Sequence, residues 1–71
     1  MSFDFSKLRG RIIEKFGSMK AFSEHLGVSK VMLSAKINGK VRFTSDDVIE
    51  YSRALGLTTD EIGVYFFTLK V

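Results

Sequence analysis

Apolar side chains recur every three to four residues through most of the chain. Within FSKLRGRIIEKFG, for example, Phe5, Leu8, Ile12 and Phe16 fall on one side of a helix. Four further stretches follow the same rule, namely SMKAFSEHLG, SKVMLSAKING, TSDDVIEYSRALG and TTDEIGVYF. The pattern therefore predicts an all-α fold of five short helices.

Short polar side chains stand where these helices are predicted to begin, and such side chains accept hydrogen bonds from the first backbone N–H groups of a helix. The predicted caps are Ser6 or Asp4, Ser18, Ser29, Thr44 or Ser45, and Thr58 with Glu61. Asp46 and Asp47 lie in the first turn of the fourth helix, where capping and the helix dipole explain both carboxylates without a catalytic role. Gly27 follows the second helix, and we predict that it has a positive φ there.

The C-terminal tail changes to a period of two residues. In FTLKV the apolar Phe67, Leu69 and Val71 alternate with polar residues, which is typical of a strand. SFDF near the start alternates in the same way, so we expect a short extended C-terminal tail that pairs either with the N-terminus or with a partner. Phe66 and Phe67 are equally compatible with a place in the core and with a place in an interface with a partner.

Length and composition indicate one small domain over residues 1–71. Its 71 residues are enough for one core but not for a second domain, and 45% hydrophobic residues are enough for that core to fold. It has no cysteine, and its one histidine, His25, is predicted to be exposed, so no metal site or histidine-led catalytic pair can be assembled. No membrane span or signal peptide is apparent. We expect a cytoplasmic protein that is not an enzyme and that uses no cofactor and no small-molecule substrate.

Charge is distributed unevenly along the chain. Residues 1–42 carry nine Lys/Arg and three Asp/Glu, whereas residues 43–71 carry two and five. The resulting balances of +6 and −3 make up the net charge of +3. A basic first half suggests an anionic partner, although surface lysines are often only solvated.

The second and third predicted helices, at about residues 18–38, are short and are joined by Gly27-Val28-Ser29. Such a pair forms a helix-turn-helix, which holds its second helix out from the domain. The run FSEHLGVSKVMLSAKINGK resembles the lambda-repressor-like, Cro/C1-type helix-turn-helix family, and the FTLKV ending is similar to small phage regulators of the Cro or modulator-of-repression kind. The resemblance covers nearly the whole chain. It implies a five-helix lambda-repressor-like domain that regulates the lysis–lysogeny switch of a bacteriophage inside its bacterial host.

The resemblance also implies which residues contact operator DNA. Base edges would be approached from the third helix by Ser29, Lys30, Val31, Ser34 and Ala35, and phosphates would be contacted by Ser18, Lys20, Lys36, Asn38, Lys40 and Arg42. Lys30 can bond guanine, Ser34 is a short donor and acceptor, and Val31 can pack on a thymine methyl group. Lysines near helix ends would position the domain on the double-stranded DNA without reading its sequence.

The presumed recognition surface departs from the family in being apolar. Met19 stands where many relatives have glutamine, and Val31, Met32 and Ala35 add further apolar side chains. An apolar patch ringed by lysines also suits a protein partner, although Met32, next to Leu33, is predicted to fill the core first. Two functions therefore compete. Binding of operator DNA, expected as a homodimer, is slightly favoured over binding of a phage CI-type repressor, as an antirepressor, through the same face.

Overall fold

Five helices appear in the computed structural model, which describes residues 3–70. They are α1 (Ser6–Phe16), α2 (Met19–Leu26), α3 (Lys30–Ile37), α4 (Ser45–Leu55) and α5 (Thr59–Phe66). The predicted all-α fold of five helices is therefore confirmed. Among the described residues, no helix has both the length and the apolar character that a bilayer span requires.

Polar side chains lie at or next to the helix starts, and the structure tests the alternatives at two of them. Neither predicted residue occupies the N-cap position of α1, which is Phe5 and has no side-chain capping bond; α1 begins at Ser6, and the Oδ1 atom of Asp4 accepts the Ser6 N–H at 2.9 Å. At α4 the Oγ1 atom of Thr44 accepts the Asp47 N–H at 3.1 Å, so that Ser45 is the first helical residue and not the cap. The remaining predicted caps also lie at helix starts: Ser18 on α2, Ser29 on α3, and Thr58 with Glu61 on α5.

Every helix contributes to one core. Its buried apolar side chains are Leu8, Ile12, Phe22, Leu33, Ile37, Tyr51, Leu55 and Phe66. Tyr51 joins several of the aromatic rings, since its centroid lies 5.3 Å from those of both Phe22 and Phe43 in edge-to-face geometry. Burial raises the pKa of Tyr51 to about 12. The phenol therefore stays neutral inside the core. The packing of this core sets the orientation of α2 and α3.

The two ends of the described chain lie side by side. Phe3 and Leu69 form an antiparallel bridge, and the Asp4 N–H donates to the Thr68 carbonyl at 2.7 Å. The tail thus meets the N-terminus, but within residues 3–70 the pairing amounts to this one bridge and not to a strand, because α1 and α5 leave few residues for it. Val71, which completes the predicted alternation, lies outside the described residues.

The adjacent phenylalanines at the end of α5 divide between the two predicted roles. Phe66 is buried in the core, whereas Phe67 is 55% exposed. The ring of Phe67 meets that of Phe3 edge to face, with 5.7 Å between the centroids. An aromatic pair is therefore left at the surface where the ends meet.

Two arginines of α1 hold the ends of other helices. The Nη2 atom of Arg9 donates to the Oδ1 atom of Asn38 at 2.8 Å, which joins α1 to the C-terminal end of α3. The Nη2 atom of Arg11 donates to the Leu55 carbonyl at 3.2 Å, at the C-terminal end of α4. Carbonyls in the last turn of a helix lack an intrahelical partner, and a cation there is favourable. α1 therefore braces both α3 and α4.

Candidate interaction face on the second and third helices

Three residues, 27–29, form the turn between α2 and α3. Gly27 has a φ of 75° and a ψ of 26°, the left-handed conformation that was predicted for it and that glycine adopts without strain. The Val28 N–H donates to the Ser23 carbonyl at 3.0 Å and so satisfies the end of α2. The Oγ atom of Ser29 then accepts the Met32 N–H at 3.1 Å and starts α3. Two short helices and a tight turn thus occupy residues 18–38.

α3 carries apolar side chains on its outer side as well as its inner side. Leu33 and Ile37 are buried in the core, whereas Val31 is 81% exposed, Met32 44% and Val28 40%. The prediction that Met32 fills the core is wrong, because Leu33 takes the inward position and successive residues of a helix are rotated by about 100°. We name Val28, Val31 and Met32 the apolar α3 face.

Met19 and Ala35 contribute less to the outer surface than their neighbours do. Both are half-buried, and Met19 packs against the core. The apolar partner face predicted from Met19, Val31, Met32 and Ala35 is therefore centred on Val31 and Met32. Val28, which the predicted set omits, extends it into the turn.

The residues predicted to approach base edges differ in their exposure. Ser29, Lys30 and Val31 are exposed, whereas Ser34 and Ala35 are half-buried. The hydroxyl oxygen of Ser29 accepts the capping hydrogen bond of α3, which leaves its O–H as a donor. Lys30 is therefore the exposed charged side chain of this set.

Among the exposed residues predicted to contact phosphates, three are cations and two are polar side chains. Lys20, Lys40 and Arg42 are exposed, as are Ser18 and Asn38. The last two already make hydrogen bonds within the fold. The Oγ atom of Ser18 accepts the Ala21 N–H at 3.0 Å, and the side-chain oxygen of Asn38 accepts the bond from α1 described above. The exposed cations flank the apolar α3 face in the sequence, on α2 and on the loop after α3.

An ion pair between α3 and α4 is the main feature that sequence reasoning missed. The Nζ atom of Lys36 lies 2.5 Å from the Oδ2 atom of Asp47, and both side chains are largely buried. The same Oδ2 atom accepts the Thr44 N–H at 2.9 Å. Asp47 therefore caps α4 and also anchors Lys36. Because the ammonium group of Lys36 is held against Asp47, the geometry argues against the predicted phosphate contact.

The ion pair makes the stability of the fold depend on pH. Burial raises the pKa of Asp47, but the hydrogen bonds from Lys36 and Thr44 outweigh burial, so that its pKa lies below the ordinary value. A carboxyl group whose folded pKa is lowered stabilises the fold above its unfolded pKa, and this stabilisation is lost as the pH falls through the folded pKa.

We expect Asp47→Asn to lower the free energy of unfolding by about 1–3 kcal/mol at neutral pH, because the charge-assisted bonds are lost. Below about pH 4 the variant should lose stability less steeply than the wild type, because it lacks this titrating group. Urea unfolding at a series of pH values measures both effects. Asp46→Asn, an exposed neighbour in the same turn, is the matched control and should lose less. Identical pH profiles for Asp47→Asn and the wild type would contradict the assignment.

His25 lies on the exposed side of α2, as predicted. Its ring is 5.0 Å from that of Phe16. Across residues 3–70, no group of three histidine, aspartate or glutamate side chains is placed to hold a metal ion.

The whole chain is similar to a solved phage regulator. The solution structure of the modulator of repression (MOR) of the temperate bacteriophage TP901-1 from Lactococcus lactis matches it with a TM-score of 0.83 and 38% sequence identity. The match covers 100% of this chain and 96% of that chain. The predicted similarity to phage modulators of repression is thus confirmed, whereas the predicted membership of the Cro/C1-type family is not.

At the level of sequence, two further comparisons give different results. No curated protein matches the chain significantly. A family described as "Protein of unknown function (DUF739)" matches residues 1–69. The chain is therefore a relative of a phage regulator of repression, and it belongs to the DUF739 family.

Proposed function

We propose that this chain is a modulator of repression that binds the CI-type repressor of the same phage through the apolar α3 face and thereby alters the binding of operator DNA by that repressor. One observation carries the proposal, namely the exposure of Val31 and its neighbours in a chain whose sequence is 38% identical to that of a phage modulator of repression. The similarity supports the class of function, and the exposed side chains favour protein over DNA as the direct target.

The chemistry of the face explains this preference. Burying a valine or methionine side chain against an apolar partner contributes about 1.5–3 kcal/mol, whereas the base edges of DNA offer only the thymine methyl group as an apolar contact. Val31 stands almost entirely in solvent, and Met32 stands partly in solvent. Lys30, beside them, would complement acidic residues of the repressor and help to orient the complex.

The decisive experiment measures binding to the switch-region DNA of the phage with and without its repressor, at two salt concentrations. We expect the purified chain alone to bind this DNA no better than random DNA. We expect it to form a complex with the repressor and to change the mobility or affinity of the repressor–DNA complex. A specific, strongly salt-dependent shift of operator DNA by the chain alone would overturn the proposal.

Direct binding of operator DNA is the second candidate function, and the exposed cations favour it. Lys20, Lys40 and Arg42, the exposed cations among the predicted phosphate contacts, lie within the basic first half of the chain. Such side chains can neutralise phosphates and release counterions. Few hydrogen-bonding side chains reach the surface of α3, and a DNA sequence is read through such groups. We therefore rank this function second.

Alanine substitution at Lys30 and Ser34 tests this second function. If these side chains read bases, each variant should weaken specific operator binding by about 1–3 kcal/mol and leave nonspecific binding nearly unchanged. The larger effect is expected at the exposed Lys30. Fluorescence anisotropy with operator and random duplexes measures the difference, and Lys40→Ala, which should weaken both equally, is the control. Equal losses on the two duplexes for Lys30→Ala would exclude base reading.

A further inference from the structure

An apolar concavity lies between the paired chain ends and the loop that joins α3 to α4. Its volume is about 600 Å³. Most of its wall is formed by Phe3, Phe5, Val41, Phe43, Val48, Phe66 and Phe67. We name it the terminal groove. The proposed function of the α3 face does not involve it.

Apolar side chains remain exposed at the rim of this groove. Phe3, Val41 and Phe67 each keep more than a third of their surface in solvent, although the core nearby is well formed. Exposed apolar side chains gathered around one concavity mark a binding surface more strongly than the same residues scattered singly. The volume lies within the range of about 300–1,000 Å³ that is usual for binding pockets, which is room for a few side chains.

The charges at the groove restrict the kind of occupant. Arg42 is the single charged residue among those that line it, and it is exposed. Lys40, Asp4 and Asp46 directly neighbour lining residues in the sequence, as does Asp47, which is paired with Lys36. Because Asp4 and Asp46 balance Arg42 and Lys40, the groove is not the strongly basic surface that binding of a nucleic acid requires. A single carboxylate, in contrast, can pair with the guanidinium group of Arg42 in bidentate geometry.

We propose that the terminal groove binds a segment of a protein partner in which a bulky aliphatic or aromatic side chain stands beside one carboxylate. The bulky side chain packs among Phe3, Val41 and Phe67, and the carboxylate pairs with Arg42. This surface is separate from the apolar α3 face, so it allows the chain to hold a second segment while α3 is occupied.

Titration of the isotopically labelled chain with two capped peptides tests the proposal. The probes are acetyl-Gly-Leu-Phe-Asp-Gly-amide and the same peptide with lysine in place of aspartate. We expect the aspartate peptide to shift the amide resonances of Val41, Phe43 and Phe67 in NMR spectra, and the lysine peptide to bind about three- to fivefold more weakly, as an exposed ion pair implies. A short oligothymidine strand should leave these resonances in place.

Variants separate the apolar and ionic parts of the groove. Phe67→Ser, at an exposed position, should weaken binding of both peptides and leave resonances of the core unchanged. Arg42→Glu should reverse the preference between the peptides, whereas Arg53→Glu, an equal change of charge outside the groove, should retain it. The proposal is overturned if neither peptide shifts the groove resonances, if the preference for aspartate is absent or survives Arg42→Glu, or if the oligonucleotide binds the groove more tightly than the peptides.

Discussion

Val31→Asp should abolish the complex between this chain and its phage repressor, with binding weakened by about a hundredfold or more, because an aspartate buried in an apolar contact leaves its charge unpaired. The side chain of Val31 is 81% exposed, so the substitution should leave the fold intact. Isothermal titration calorimetry with the repressor measures the loss, and thermal unfolding of the variant alone verifies that the domain remains folded.

Val64→Asp provides a matched control for this experiment. Val64 is also an exposed valine on a helix, but it lies on α5, which packs against α1 and α4 and not against α3. The same chemical change there should retain repressor binding within about twofold, as expected for a surface substitution outside the interface. If both variants bind the repressor as the wild type does, the apolar α3 face is not the interface. If both lose binding, the effect of Val31→Asp is not specific to that face.

Gly27→Val should lower the free energy of unfolding by about 1–3 kcal/mol, because valine at a φ of 75° is held in a sparsely populated backbone region. A domain of this size is stable by only about 4–10 kcal/mol, so the loss is a large share of the total. Repressor binding should weaken as well, since the turn fixes the direction of α3. Chemical denaturation followed by circular dichroism measures the stability.

Two substitutions show whether the backbone conformation is the cause. Gly27→Asn should be milder than Gly27→Val, because asparagine tolerates the left-handed region better than a β-branched residue does. Gly10→Ala, inside α1, should raise stability by about 0.5–1 kcal/mol, since helical glycine is unfavourable and the added methyl group meets nothing within 4 Å. Equal stability of Gly27→Val and the wild type would contradict the strain argument.

Most of the fold was predictable because it is encoded locally. Ser18 and Ser29 lie at helix starts, Gly27 lies in a turn, and Leu33 and Ile37 repeat with helical spacing, so short segments suffice to place α2 and α3. The start of α1, where neither Asp4 nor Ser6 is the N-cap, required coordinates, because either side chain can accept a backbone N–H from a neighbouring position.

The less predictable features join segments that are distant in the sequence. Lys36 and Asp47 each have an ordinary local explanation, as a surface lysine and a capping carboxylate, and only the packing of α3 on α4 brings them together. The prediction for Met32 failed for a different reason. It is adjacent to a buried leucine, and methionine is used in cores and at interfaces alike, so residue type alone does not decide its side of the helix.

The bridge between Phe3 and Leu69 gives the two surfaces different local stabilities. One wall of the terminal groove depends on the chain ends, which meet through this bridge and the hydrogen bond from Asp4 to Thr68. The α3 face instead rests on the buried core. Ends held by few backbone bonds open by local unfolding more often than the core does. Amide hydrogen exchange should therefore be faster at Asp4 than at Leu33. The terminal groove should open and close many times while the α3 face stays intact.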